Sequence, residues 1–254
     1  MDVALTAVKT STDIYIKAVW DDASESSSKA QWAFGDGAWG QSGNEDRLFF
    51  FFDMGLNGTE GADCATMCHN DASAKGMWTA TGKVDQWHWK AARTAPINLA
   101  DDKYIDNNYL ASDNVTVLDD GGQHGDSKTI GIYNDNKNGV VPKYTGPLTD
   151  GFLVLPAGQT DAAAYFTAFD VATADEGLSH RGYWLNANAD GSRANVKAYS
   201  NYSNGTWTVE FKRALDTGNE DDVAFSTGSV ELTIAVTDNA GGDHSGSAPF
   251  EMNF

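Results

Sequence analysis

The 254-residue chain carries 36 acidic and 17 basic residues, which gives a formal net charge of -19. This excess of negative charge argues against nucleic acids and anionic membrane surfaces as partners, and it favours a basic partner protein or metal ions. The chain is long enough to bury a core. No stretch approaches 18 consecutive apolar residues, so we expect no membrane span.

The first half of the chain predicts short strands separated by polar loops. Residues 3–9 and 13–20 predict an opening hairpin. The stretch 32–43 is rich in glycine and tryptophan, and we expect a packed surface loop there. Residues 48–52 form a continuous apolar run, which is typical of a strand covered on both faces at the centre of a sheet.

Residues 84–93 predict the next strand, with Trp87 and Trp89 on one face and His88 on the other. Aspartate, asparagine and glycine become frequent between residues 95 and 125, where we expect long connections. Further short strands are predicted at residues 128–133, 151–155, 181–185, 193–200, 206–213 and 229–237, and residues 165–172 predict either a strand or a helical turn. About ten strands without an amphipathic helix predict an all-β fold, a single-domain antiparallel β-sandwich over residues 1–254 with long loops and little helix.

Both cysteines lie in one short segment, in which Cys64 and Cys68 are followed directly by His69. Two thiols and an adjacent imidazole are typical of c-type haem attachment, in which each cysteine adds to a vinyl group and the histidine binds the iron. Three residues separate the cysteines instead of the usual two, a difference that a looser turn can absorb. The alternative is a disulfide that closes a very small loop and adds little stability. Either interpretation predicts a periplasmic or extracellular protein.

Five segments form an ordered set that covers almost the whole chain: residues 44–47, 64–69, 82–93, 205–213 and 235–240. Together they resemble the ethylbenzene dehydrogenase-related haem-binding domain. That family includes the haem-carrying gamma subunits of periplasmic molybdenum enzymes and c-type relatives with cysteine motifs. The resemblance implies a jelly-roll-like β-sandwich that holds one haem at an end of the sandwich and passes electrons.

The resemblance also implies the positions of the axial ligands. In the gamma subunits these are a methionine shortly before the tryptophan-rich strand, where this chain has Met77, and a lysine shortly after the last core strand. This chain has His244 and no lysine in that second place, and imidazole is a good iron ligand. We therefore expect a haem held by Cys64, Cys68 and His69, with His69 and His244 on the iron and Met77 as the alternative sixth ligand.

The remaining histidines and tryptophans have structural interpretations beside the functional ones. His180 is a third candidate ligand, or a residue at the edge of a strand. We interpret His88 as a satisfied structural histidine and His124 as an exposed one. Large aromatic side chains of a sandwich either wall a haem pocket or belong to the core, and three are candidates here: Trp78, Trp87 and Trp89.

Calcium is a possible second cofactor. Residues 134–139 place oxygen-bearing side chains at alternate positions before a glycine, like the first half of a calcium loop. The first aspartate and the distant glutamate of such a loop are missing, so an asparagine-rich turn is the preferred interpretation. Adjacent carboxylates elsewhere, at residues 101–102 and 119–120, leave calcium open.

Two functions from different classes follow. The first is an electron-transfer module with one haem, which serves a redox partner such as a multihaem cytochrome or an oxidoreductase subunit. The second is a carbohydrate-binding or adhesive module, in which tryptophans stack on sugars and Cys64 and Cys68 form a disulfide. The sequence contains no nucleophile motif and no phosphate-binding glycine loop, so we expect no catalytic residues.

Overall fold

The computed structural model describes residues 1–54, 67 and 76–254. Its strands are β1 (Val3–Lys9), β2 (Asp13–Asp21), β3 (Gln31–Gly35), β4 (Ala38–Ser42), β5 (Arg47–Asp53), β6 (Val84–Lys90), β7 (Asp101–Ile105), β8 (Gln123–Gly125), β9 (Tyr133–Asp135), β10 (Lys137–Asn138), β11 (Val141–Pro142), β12 (Tyr144–Gly146), β13 (Leu153–Leu155), β14 (Thr167–Ala168), β15 (Ser179–His180), β16 (Tyr183–Asn186), β17 (Lys197–Ser203), β18 (Thr206–Ala214), β19 (Ser229–Thr237), β20 (Ser245–Gly246) and β21 (Phe250–Asn253). Helical segments are short: α1 (Ala162–Tyr165) and 3₁₀ turns at Ala95–Ile97, Val171–Thr173 and Ser192–Ala194.

Two antiparallel sheets form a sandwich, and the predicted all-β fold class is confirmed. The first sheet has the order β1-β2-β18-β17, and the second has the order β20-β19-β5-β6-β7-β8 with β21 also paired to β19. Strict alternation along β2 buries every second residue, because successive side chains of a strand point to opposite faces. No helix in the described ranges is long and apolar enough to cross a membrane.

The main core fills the space between the two sheets. Aromatic side chains meet across it: the ring centroids of Trp20 and Trp89 lie 5.8 Å apart, and those of Phe50 and Phe211 lie 5.1 Å apart. Edge-to-face contacts of this kind add to the large apolar area that each ring buries. These contacts fix the second sheet against the first, so the opposite face of the second sheet is available for another purpose.

Strand β5 is covered on both faces, as the continuous apolar run predicts. It lies between β19 and β6. Leu48, Phe50 and Phe52 enter the main core. On the other face Phe51 belongs to a second cluster, the outer cluster, whose members are Phe51, Met67, Val84, Ile105 and Ala235, with Phe49 and Met77 packed against them.

The predicted loop at residues 32–43 is wrong, because this stretch forms the β3–β4 hairpin. Its turn lies at Asp36 and Gly37, both with positive φ, and Phe34 pairs with Trp39. The glycines interrupt the alternation that would otherwise predict two strands. Strand β7 is a second correction, since long connections were expected there and the charged residues concealed a paired strand.

Other boundaries differ from the predictions by a few residues. The strand expected at residues 128–133 begins only at Tyr133, and the one expected at residues 193–200 begins at Lys197, after a 3₁₀ turn. Residues 165–172 contain the end of α1, all of β14 and the start of a 3₁₀ turn. The hairpin predicted between residues 200 and 206 is confirmed, with β17 and β18 paired from Lys197–Lys212 to Ser203–Thr206.

Candidate functional site

A cavity of about 440 Å³ lies on the outer face of the second sheet. This sheet-face cavity is of the size typical of small-molecule and cofactor sites. Its strand residues alternate with residues of the main core, so they point away from that core. The lining consists of Arg47, Phe49, Phe51, Met77, His88, Lys90, Arg93, Lys103, Asp120, Gln123, Tyr133, Ala235, Thr237, Gly241, Gly242 and His244.

His88 is the most unusual residue of the cavity wall. It is 6% exposed, and neither ring nitrogen has a hydrogen-bond partner among the described residues. Its ring centroid lies 3.9 Å from that of Phe49. Burial, followed by the nearby cations, lowers the pKa of His88 well below its ordinary value, so the ring is neutral at pH 7. The expectation of a satisfied structural histidine is therefore wrong, and the imidazole presents an unused nitrogen lone pair.

Four cations line the sheet-face cavity of this strongly acidic chain: Arg47, Lys90, Arg93 and Lys103. Glu45 accepts from Arg93 at 2.6 Å and lies 3.5 Å from Arg47. Lys90 is paired with the buried Asp101. These two acids and Asp120 face four cations. Burial lowers the pKa of Lys90 to about 7, so the wall carries net positive charge while Lys90 is protonated.

Lys103 is the cation of the wall that has no carboxylate within 4 Å in the described part of the chain. Its Nζ donates instead to the neutral Gln123 Oε1 at 2.9 Å. Burial, and then repulsion from Lys90, lower the pKa of Lys103 to about 8. Placing an anion against this ammonium would reverse the shift, because an opposite charge favours the protonated form.

Asp101 anchors the outer edge of the cavity wall. Burial opposes its ionisation, but the adjacent Lys90 and Arg193 outweigh that penalty and hold the pKa of Asp101 below its usual range. Tyr133 also donates to its Oδ2 at 3.0 Å. The result is a fixed hydrogen-bonded network that holds Lys90 in place at the cavity.

Met77 and His244, the two residues predicted for the second axial position, both line the sheet-face cavity. Met77 reaches it from the segment before β6, and its sulfur accepts from Gln123 Nε2 at 3.5 Å. His244 reaches it from the loop after β19, with Nδ1 2.7 Å from the carbonyl oxygen of Gly242. Segments that are far apart in sequence thus bring candidate iron ligands to one cavity.

The predicted attachment residues Cys64, Cys68 and His69 lie outside the described residues. Met67, which stands between the two cysteines in the sequence, is 1% exposed. It packs in the outer cluster with Phe51, which lines the cavity.

The other candidate residues lie elsewhere. Trp87 and Trp89 are in the main core, on the opposite face of β6 from the cavity, whereas Trp78 packs on Tyr109 at 5.6 Å. His180 lies on β15 beside Trp39, outside the cavity lining. The expectation that His124 is exposed is wrong: its side chain is 23% exposed and its Nε2 is 3.1 Å from Asp106 Oδ1.

The turn predicted at residues 134–139 is wrong for most of the stretch, which contains the end of β9, all of β10 and only the first residue of the β10–β11 turn. Asn136 is fully buried, and its amide nitrogen donates to the carbonyl oxygens of Tyr144 and Arg181. Its Oδ1 accepts from the backbone nitrogen of Tyr144 at 2.8 Å. The side chain of Asn136 therefore has a structural role and links three segments of backbone.

With the fold and the cavity defined, comparison with known families is informative. The model of the ethylbenzene dehydrogenase family matches residues 1–248. The chain belongs to this family. A search of curated proteins gave no match. The family resemblance drawn from the sequence is thereby confirmed.

Several cavity residues of this ethylbenzene dehydrogenase family member are missed when the sequence is read alone. They are Arg47, Phe49, His88, Lys90 and Lys103. A signal is present in β6, where buried tryptophans alternate with glutamine, histidine and lysine. A fully buried strand with one apolar and one polar face indicates that its polar face covers a polar site.

Proposed function

We propose that this chain is an electron-transfer module that binds one haem in the sheet-face cavity. The proposal is carried by one observation: two residues expected to bind iron, Met77 and His244, meet there beside His88, a buried imidazole with no hydrogen-bond partner among the described residues. A buried polar group without a partner calls for an explanation, and a bound group is one. The donor set of imidazole, thioether and cations fits a haem.

Cys64 and Cys68 are the proposed covalent anchors, with His69 as the first axial ligand. His244 is the proposed second ligand, and Met77 is the alternative. A haem with two protein ligands cycles between the ferric and ferrous states and carries one electron without binding substrate. The chain itself then needs no catalytic residue.

The cationic wall supplies the second requirement of a haem site. The two carboxylates of a haem need partners where the group is partly buried, and Lys103 and Arg47 are placed to bind them. Phe49 and Phe51 stack on each other with centroids 6.0 Å apart, and they offer the apolar surface that a porphyrin requires. Polar edge and apolar wall therefore occur in one cavity.

The family and the charge support a redox partner for this module. Ethylbenzene dehydrogenase is by its name an oxidoreductase, so we propose an oxidoreductase subunit or a multihaem cytochrome as the partner. A net charge of -19 favours a basic docking surface on that partner. The cysteine motif supports a periplasmic or extracellular location.

The carbohydrate-binding alternative has less support. It requires exposed tryptophans that stack on sugar rings. All eight tryptophans lie in the described part of the chain, and each is buried or only partly exposed. The chain therefore offers no exposed tryptophan on which a sugar ring could stack.

The proposal is tested by the visible spectrum of the purified protein and of three variants. We expect a Soret band that survives acid-acetone extraction, because thioether bonds hold the haem. His244→Ala should open a coordination site and allow the ferrous protein to bind carbon monoxide, whereas Met77→Ala should leave the spectrum unchanged. His180→Ala, a histidine outside the cavity, is the matched control.

The outcomes separate the candidates. The reverse pattern, in which Met77→Ala opens the site, would assign the second ligand to Met77. If neither variant changes the spectrum, the candidate for the second ligand becomes His88, the third donor of the wall. A protein that carries no Soret band after expression with a haem-attachment system, and that binds none added, would refute the proposed function.

A further inference from the structure

A cluster of aspartates lies on the opposite side of the second sheet from the sheet-face cavity. Asp85 and Asp102, on the inner faces of β6 and β7, are fully buried, and Asp126 and Asp222 are 2% and 6% exposed. Asp221 lies beside them, close enough for its carboxylate to share an ion with those of Asp126 and Asp222. Five carboxylates are thus gathered, four of them buried and that of Asp221 partly exposed.

Arg213 compensates only part of this charge. Its NH1 atom is 2.6 Å from Asp85, 3.8 Å from Asp102 and 3.7 Å from Asp222. Burying a charge without a partner is costly, so the remaining carboxylates need protons or another cation.

The acid triad Asp126–Asp221–Asp222 contains two carboxylates that Arg213 does not reach, those of Asp126 and Asp221, whereas Asp222 shares Arg213 with Asp85. One carboxylate oxygen from each residue lies within 4.8 Å of the other two. Within the described ranges, neither Asp126 nor Asp221 has a lysine or arginine nitrogen within 4 Å. Arg193, the cation whose charge also acts on Asp126, is held by Asp101.

Each buried carboxylate of the acid triad has one oxygen that accepts no hydrogen bond. Asp126 Oδ2 accepts from Ser192 Oγ at 3.0 Å, whereas its Oδ1 is buried without a partner. Asp222 Oδ2 accepts from Thr217 at 2.6 Å, and its Oδ1 makes no hydrogen bond but lies 3.7 Å from Arg213. Asn195 donates its amide to the same Oδ2 at 3.1 Å and buries its own carbonyl oxygen without a partner. Leaving such acceptors unsatisfied costs free energy.

We propose that the acid triad binds a calcium ion. Calcium takes six to eight oxygen ligands at about 2.3–2.6 Å, so two ligands on opposite sides of one ion are about 5 Å apart. The triad oxygens lie no farther apart than that, so one ion can reach all three. An all-oxygen donor set with flexible geometry favours calcium over zinc, which prefers nitrogen and sulfur. Water completes the coordination.

A second acidic group is formed by Asp22, Asp46 and Asp238. The Oδ2 of Asp22 is buried without a partner there too, but both oxygens of Asp46 accept hydrogen bonds and Asp238 is exposed.

Terbium luminescence and thermal unfolding test the calcium site in the purified full chain. Trp87 lies next to Arg213, with 4.9 Å between the guanidinium carbon and the ring centroid, so excitation of tryptophan should sensitise a terbium ion bound at the triad. We expect sensitised emission that calcium displaces. Calcium at about 100 times its Kd should raise the Tm by roughly 5–10 °C relative to EGTA, and magnesium should raise it less.

Matched variants make the test specific. Asp126→Asn should abolish both the emission and the calcium shift, yet in EGTA its Tm should equal or exceed that of the wild type, because it removes a repelling charge. The exposed Asp175→Asn carries the same change in charge and should behave as the wild type. If Asp126→Asn does not fold, the partly exposed Asp221→Asn should weaken calcium binding at least tenfold.

Two results would overturn the proposal: a wild-type Tm that calcium leaves unchanged, or a calcium shift that persists in full in both triad variants. Neither result bears on haem binding, which is tested by the visible spectrum and involves the other face of the sheet. The two proposals can therefore fail separately.

Discussion

His88 shows how a single residue can indicate a site. Its neighbours in β6, Trp87 and Trp89, are fully buried in the main core, and that neighbourhood suggested a structural histidine. The ring instead faces the sheet-face cavity and makes no hydrogen bond with the described residues. A purely structural histidine would satisfy at least one nitrogen, because an orphan in a dry site costs about 1–3 kcal/mol.

We predict that His88→Phe stabilises the haem-free chain and impairs haem binding. Phenylalanine keeps the ring contact with Phe49 and removes two unsatisfied nitrogens, so urea unfolding should show a gain of roughly 1 kcal/mol. The pKa of His88 is lowered in the folded state. The unfolded wild type therefore binds a proton that the folded state does not, and the advantage of the variant should grow as the pH falls below about 6.5.

The same variant separates structure from function. A weaker or shifted Soret band with increased stability would agree with a haem-facing role. A variant that is destabilised and keeps the wild-type spectrum would contradict it, and would restore the structural interpretation of His88. His180→Phe, on β15 and outside the cavity, is the control for a change of histidine to phenylalanine.

At the scale of elements, the sequence predicts those strands whose apolar pattern is unbroken. Residues 229–237 match β19 at both ends, and the run at residues 48–52 lies wholly within β5. These strands contribute to the main core, where burial demands a regular pattern. Local sequence and tertiary packing agree there, so the prediction holds.

The missed strands have identifiable physical reasons. In β7, Asp101 and Asp102 are residues typical of loops. Their charges are compensated by Lys90, Arg193 and Arg213, which allows both carboxylates to be buried. Those partners lie far away in sequence, so no local pattern can reveal them. The cationic wall of the sheet-face cavity could not be predicted from the sequence either, because its cations come from separate segments that only the pairing of the strands brings together.

The alternation of β5 leads to a prediction with a built-in control. Phe50 is fully buried in the main core, whereas the adjacent Phe49 lines the sheet-face cavity. Phe50→Ala should cost about 3–5 kcal/mol of unfolding free energy, as truncations of core phenylalanines do. Phe49→Ala should cost less, roughly 0.5–2 kcal/mol, but should shift the haem spectrum. Urea unfolding gives both costs, and equal costs would mean that the cavity face packs like a core.

At the scale of the whole molecule, two electric fields compete at the sheet-face cavity. The chain carries a net charge of -19, yet the wall of the cavity is cationic. Ionic strength determines which field a redox partner experiences, because the Debye length falls from about 30 Å at 0.01 M to about 8 Å at 0.15 M. At low salt the net charge of the whole molecule acts on an approaching partner. At high salt that long-range effect is screened, and only the nearby cations of the cavity wall act on the partner.

We predict opposite salt dependences for two small oxidants of the reduced, haem-loaded protein. Cationic hexaammineruthenium(III) should react fastest at low salt and slow down as salt is added, because the net charge attracts it over long distances. Anionic ferricyanide should accelerate over the same range as its repulsion is screened. Stopped-flow mixing at ionic strengths from about 0.01 to 0.15 M measures both rates. A ferricyanide rate that falls from the first addition of salt would contradict this, since the four cations of the wall would then control the encounter even where the net charge acts over its longest range.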